Sequence, residues 1–193
     1  MSREVYRIFI AIDLTNQLKE SIIKMQREFM VSSVDMKPVE PENLHITLRF
    51  IGEVNKDLVE ETKKRLASIT YNQFTMHIKG VGAFPSIERP RVIWVGVEEG
   101  ARDLMNLHDI IMRLTGDIGE RDERNFVPHL TVARVKYVRN RDKYMEVIKR
   151  YSEADFGTQV VDSVRLKRSI LTPKGPIYSD LMIIKLIANN LNS

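Results

Sequence analysis

The sequence predicts an α+β, bilobal and internally duplicated fold. It should place two antiparallel sheets around a central cleft, with helices outside and a pseudo-twofold axis relating the lobes. Three observations carry this. Strand-like runs of alternating polarity are interleaved with stretches whose apolar residues recur at helical spacing. The string His45-Ile46-Thr47-Leu48 returns as His129-Leu130-Thr131-Val132, 84 positions later. The strand openings Arg7 and Arg91 are separated by the same interval.

Arg7–Leu14 reads as a strand, with Thr15 and Asn16 as capping residues before a helix whose Leu18, Ile22, Met25 and Phe29 share one face. Leu44–Val54 is the second strand. Alternation puts Leu44, Ile46, Leu48 and Phe50 on one face and His45, Thr47 and Arg49 on the other. A helix with Leu58, Val59, Thr62 and Leu66 inward follows, then a third strand over Phe74–Phe84, interrupted by glycines. The turn from Pro85 to Pro90 introduces the strand Arg91–Val97. Leu104, Leu107, Ile111 and Leu114 mark the next helix. Gly116–Asn125 is a charged loop, and Pro128–Lys136 carries the second His/Thr pair. A helix around Tyr144, Val147, Ile148 and Tyr151 leads to two last strands, roughly Gln159–Leu171 and Ile177–Ala188. The turn Thr172-Pro173-Lys174-Gly175-Pro176 joins them.

At the 84-residue offset the Leu18–Phe29 helix overlies Arg102–Arg113, the Leu58–Leu66 helix overlies Asp142–Arg150, and Ile177-Tyr178 overlies Ile93-Trp94, with no gap. Residues 1–193 are therefore expected to form a single domain of two intertwined lobes. The repeat units run about 7–90 and 91–174, and a final strand covers about 177–188. That last strand lacks a first-copy partner other than the strand at Arg91, so the lobes are expected to exchange strands.

The chain has 193 residues, 43% hydrophobic and 29% charged, as in a soluble globular protein. Its net charge of +4 and pI near 9.3 suit a polyanionic partner. The absence of cysteine excludes disulfides, thiolate catalysis and Cys-ligated zinc. Only four histidines are present and none has ligand spacing, so no metal or other cofactor is expected. No apolar run is long enough to span a bilayer and no signal-peptide pattern opens the chain, which points to a cytoplasmic protein.

In a strand, residues i and i+2 project to the same side, so each motif presents a His beside a Thr. Two such pairs facing each other would supply an acid, a base and two hydroxyl donors around a phosphodiester. His77 and His108 join no repeated motif and read as structural. Gly80-Val81-Gly82 lacks the rest of a phosphate-loop pattern. Arg49 is a candidate on the His45 face, with a solvated or ion-paired role equally open. Phe9 and Tyr178 could stack a base, against a core Phe and a rim Tyr. Arg165, Lys167, Arg168 and Lys174 could guide an RNA backbone, against exposed strand charges.

With these residues in place, the chain resembles the 2H phosphoesterase superfamily, named for two H-x-T/S-x motifs. Within it the chain is most similar to the bacterial and archaeal RNA 2′,3′-cyclic phosphodiesterases, also called 2′-5′ RNA ligases. The matching segments are Arg7–Ile12, Glu42–Gly52, Arg91–Gly96, Pro128–Arg134 and Ser169–Tyr178. The resemblance implies hydrolysis of RNA 2′,3′-cyclic phosphate ends to 2′-phosphates, with ATP-independent 2′-5′ joining as the same chemistry with a different nucleophile. It implies His45 as proton donor to the departing 3′-oxygen, His129 as the base activating water, and Thr47 and Thr131 on the phosphate oxygens. Pseudo-symmetry leaves the direction of proton transfer open in the residues themselves. Arg134 matches a family arginine, yet strict alternation puts it opposite His129 and Thr131, so it reaches phosphate only across a bulge. The expected partner is RNA with cyclic-phosphate ends, tRNA-like fragments included, and the expected state is a monomer. The alternatives are an RNA-end-binding module without turnover, or a phosphodiesterase of a small cyclic phosphate or a 2′-5′ oligonucleotide.

Overall fold

The computed structural model describes residues 4–32, 34–121 and 125–188. In chain order the elements are β1 (Val5–Asp13), α1 (Asn16–Ser32), β2 (Val34–Pro38), β3 (His45–Asn55), α2 (Lys56–Leu66), β4 (Phe74–Phe84) and β5 (Val92–Val97). Then follow α3 (Ala101–Thr115), β6 (His129–Val138), α4 (Arg141–Tyr151), β7 (Asp155–Val161), β8 (Ser163–Thr172) and β9 (Gly175–Lys185). Both short helices open on an asparagine cap. The Asn55 and Asn140 side chains accept from the Leu58 and Lys143 amides at 2.9 and 3.0 Å.

Two antiparallel sheets form, ordered β3-β1-β8-β9 and β2-β6-β5-β4-β7. The halves of the chain are interwoven. The first sheet takes β3 and β1 from the first half and β8 and β9 from the second. The second sheet joins β6, β5 and β7 to β4 and β2. The helices cross over too: α2 and α3 cover the first sheet, while α1 and α4 cover the second. Each sheet thus buries one face under one helix from each half, and one continuous core runs through both. The sheets meet along β3 and β6, the two motif strands.

Four expectations need correction. The region expected as one strand over Gln159–Leu171 is two, because exposed Asp162 breaks it and β7 and β8 enter different sheets. Strand β2 was not expected; five residues are too short to display a period. Leu58 is 38% exposed, and Val59, Thr62 and Leu66 alone form the buried face of α2. The gap-free repeat also fails in the helices. Their buried faces align at offsets of 86 (Leu18 with Leu104, Met25 with Ile111) and 85 (Val59 with Tyr144, Thr62 with Val147). Two residues are about 200° of helical rotation, so an 84-residue register would turn the wrong side of α3 inward.

Candidate active site

Both motif strands carry a bulge at the same point. On β3, Ala11 pairs with Thr47 and Ile10 with Arg49, leaving Leu48 extra. On β6, Trp94 pairs with Thr131 and Ile93 with Ala133, leaving Val132 extra. These extra residues are the fourth positions of the two motifs. Each bulge carbonyl is held by a helix side chain. His108 Nδ1 on α3 donates to the Leu48 oxygen at 2.8 Å, and buried Gln26 Nε2 on α1 donates to the Val132 oxygen at 2.7 Å. The Val39 amide also donates to the Val132 oxygen at 2.8 Å. Beyond a bulge the alternation changes phase. Leu48 and Arg49 are both buried, as are Val132 and Ala133, and the phase then returns at Phe50 and Arg134.

That phase change decides the two arginines in opposite directions. Arg134 emerges exposed on the His129/Thr131 side and lies near Tyr178, whose phenol is pushed above its usual pKa by burial while the Arg134 charge acts against that. Arg49 leaves the His45 face. It is 1% exposed and donates to Thr115 Oγ1 and to the Ile118 carbonyl at 2.7 Å. It ties β3 to the end of α3 and does not face the cleft.

The histidines are anchored alike. His45 Nδ1 donates to the Asn43 carbonyl at 2.6 Å and His129 Nδ1 to the Val127 carbonyl at 2.7 Å, each two residues back. This fixes the tautomer with the proton on Nδ1 and leaves each Nε2 as an acceptor. The Thr47 hydroxyl donates to His45 Nε2 at 3.0 Å. Each ring also rests on a phenylalanine. Phe9 lies 5.0 Å from His45 and Phe84 5.1 Å from His129. Behind them stand Tyr178, 4.8 Å from Phe9, and Trp94, 5.4 Å from Phe84. Asn43 Nδ2 donates to the Pro176 carbonyl at 3.1 Å, securing β9 so that Tyr178 also meets His45 edge-on at 5.4 Å.

Burial pushes the His45 pKa down from 6.5. The Asn43 carbonyl and Asp13 act against this, while Lys167 and Lys19 reinforce it. Asp13 is the register partner of His45 on β1. It pairs with Lys167 at 3.0 Å and Arg165 at 3.3 Å, and both cations also bind Asp180, Lys167 at 2.7 Å. Arg165 and Lys167 are thus neutralised beside the site rather than exposed, Lys167 being 8% accessible. Arg168 lies over the Tyr6 ring at 4.2 Å and pairs with Glu4, while Lys174 is exposed at the β8–β9 turn. Phe9 is 4% exposed and supports His45 instead of offering a stacking face.

His77 sits between Asp155 and Glu98, at 2.9 and 3.3 Å. His108 stacks on Phe126 at 4.3 Å besides holding its bulge. Sequence reasoning missed Gln26, the bulge role of His108, and the pair Phe84 and Trp94. For Trp94 one signal existed, its position 84 residues before Tyr178. Residues 122–124 of the charged loop lie outside the described residues. Among the described residues no group of three or more His, Asp or Glu side chains could hold a metal ion, and no helix is long and apolar enough to cross a membrane.

Two interwoven sheets meeting along doubled His-x-Thr strands define a two-histidine (2H) phosphoesterase. A family model described as LigT like Phosphoesterase matches the chain twice, over residues 12–94 and 95–178, and the chain belongs to this enzyme family. It is 41% identical over 180 residues to the RNA 2′,3′-cyclic phosphodiesterase of Archaeoglobus fulgidus, covering 93% of this chain and 99% of that protein. It is 44% identical over 155 residues to the protein of that name from Aeropyrum pernix, covering 80% and 88%. Among solved structures, a Thermus thermophilus protein superposes with a TM-score of 0.79 at 26% identity, over 95% of this chain and 100% of the other. Escherichia coli LigT complexed with 3′-AMP gives 0.75 at 25%, over 95% and 99%.

Proposed function

We propose that this chain hydrolyses RNA 2′,3′-cyclic phosphate ends to 2′-phosphates. The observation that carries the reading is the pair of His-x-Thr strands, from different sheets, meeting with both histidines anchored through Nδ1 so that each Nε2 is the proton-accepting atom, that of His45 holding the Thr47 hydroxyl in the unliganded protein. The name borne by the archaeal relatives supports the choice of substrate.

In this reading the Thr47 hydroxyl turns from His45 Nε2 to the substrate, Thr47 and Thr131 donate to the nonbridging oxygens, and Arg134 adds a guanidinium charge. His129 Nε2 takes a proton from water as its oxygen attacks phosphorus in line with the 3′-oxygen. The P–O3′ bond breaks, and protonated His45 delivers its proton to O3′. The products are a 2′-phosphomonoester and a free 3′-hydroxyl. A ribose 5′-hydroxyl in place of water would give a 2′-5′ linkage without ATP. Burial keeps unliganded His45 towards the neutral form, so the donor role depends on the bound anion drawing a proton onto the ring.

The test is incubation of EDTA-treated protein with an RNA bearing a 2′,3′-cyclic phosphate. A 2′-phosphate product is expected. Tight binding without turnover would select the RNA-end-binding module instead. Cleavage confined to a small cyclic phosphate or a 2′-5′ oligonucleotide would select the other phosphodiesterase readings.

A further inference from the structure

We propose that the open face of β2 and β6 beyond His129 seats the RNA upstream of its terminal nucleotide, with backbone phosphates on Lys37 and Lys136 and a base on Tyr137. This rests on the reading of the cleft as an RNA-end site and adds the path by which the rest of the strand leaves it.

One face of these strands is turned to the core: Val34 and Met36 on β2 are buried, and Val135 and Val138 on β6 pack against the same cluster. The register puts Lys37 beside Arg134 and Asp35 beside Tyr137 on the opposite face. Between these pairs β6 bulges a second time. Met36 pairs with Val135 and Asp35 with Tyr137, so Lys136 is extra, and Lys136 and Tyr137 both emerge exposed. Counted along β5 and β2, Arg134 stands two residues from Thr131 and two from Tyr137. Each step is about 6.7 Å, comparable to one nucleotide of an extended strand.

The cations on this strip are open. Among the described residues Lys37 and Arg134 pair with no carboxylate, and Lys136 has Asp35 at 3.7 Å with its own side chain 66% exposed. Sheet A of the cleft, formed by β3, β1, β8 and β9, differs. There Asp13 and Asp180 hold Arg165 and Lys167, Glu4 holds Arg168, and Arg7 lies over the Phe50 ring at 4.6 Å. The Arg134 charge is felt at Tyr178, which stands against His45, so the head of the strip is within reach of the side where O3′ departs. Tyr137 is 57% exposed, too open for its ring to be covered on both faces. Stacking on an aromatic face tolerates any base, which suits RNA ends of varied sequence.

The test is a length series, from a nucleoside 2′,3′-cyclic phosphate to a hexanucleotide with the same end. A rise in kcat/KM over the first two or three nucleotides is expected. Replacing both lysines (Lys37→Ser with Lys136→Ser) should raise KM for the hexanucleotide about tenfold. It should also flatten the slope of log KM against log salt by about 1.4, two phosphate contacts at about 0.7 each. Turnover of the cyclic mononucleotide should stay within about twofold, which also shows that the variant is folded. Tyr137→Ser should raise the hexanucleotide KM about tenfold, and Tyr137→Phe should not. A flat length series overturns the path. So does a length effect that survives the lysine replacements, and one lost instead in Arg7→Gln would send the strand over sheet A. Cleavage of cyclic ends without length dependence removes this proposal alone, whereas no cleavage of any cyclic end removes the RNA-end reading as well.

Discussion

His45 and His129 are held by one device: each Nδ1 donates to the carbonyl two residues earlier, at 2.6 and 2.7 Å, on strands that belong to different sheets. The likeness ends at Nε2, where His45 has the Thr47 hydroxyl at 3.0 Å. Burial lowers the pKa of His45, a shift that experiments can read.

Replacing either ring removes one proton-transfer group. His45→Ala and His129→Ala are each expected to lower the hydrolysis rate by roughly 10²–10⁴-fold. The double variant should fall well short of the product of the two losses, because acid and base act in one step. Full activity in either single variant, measured on product release, would sink the acid–base assignment.

The pH profile should separate the free and bound states. Burial lowers the pKa of His45, so in the free enzyme the proposed donor loses its proton below 6.5, and the alkaline limb of kcat/KM should fall there. A bound phosphodiester favours the imidazolium, so the alkaline limb of kcat should lie higher. The reverse order would assign the donor role elsewhere. Stability is linked to the same shift. Above about pH 6.5 His45 is neutral in both folded and unfolded chains; as pH falls, the unfolded chain protonates first, and stability is lost down through the folded pKa. Thermal melts from about pH 7.5 to 5 should show a steeper decline for the wild type than for His45→Gln.

The two arginines after the bulges should respond differently. Arg134→Gln should raise KM for RNA ends and weaken the salt dependence of binding, with the melting temperature little changed. Arg49→Met leaves the Thr115 and Ile118 acceptors unpaired in the interior and should destabilise by about 2–4 kcal/mol. At a temperature where that variant is folded, its KM should match the wild type. A KM defect confined to Arg49 variants would place the wrong arginine at the phosphate.

Gln26→Leu tests the β6 bulge. Gln26 Nε2 donates to both the Val39 and Val132 carbonyls, and the latter keeps the Val39 amide, so the expected loss is modest, about 1–2 kcal/mol. If the bulge aims Arg134, KM should rise with kcat nearly constant. Unchanged KM in a destabilised variant would confine Gln26 to packing.

The doubled His-x-Thr motif, most strands and the buried helix faces were legible in the sequence because period and spacing are local properties. Leu18, Ile22, Met25 and Phe29 report their common face without reference to anything else in the chain. Strand exchange was foreseeable from an odd final strand, but the break at Asp162 was not, since β7 and β8 each alternate acceptably and differ only in the neighbours they find. What tertiary structure alone decided was the fate of Arg49 and Arg134. The extra residues Leu48 and Val132 shift the strand phase because His108 and Gln26, remote in sequence, hold their carbonyls. The same shift on both strands buries the fourth residue after the histidine, Arg49 on β3, and turns out the fifth, Arg134 on β6. A period of two cannot signal where it will be interrupted, because the cause of the interruption lies on another element.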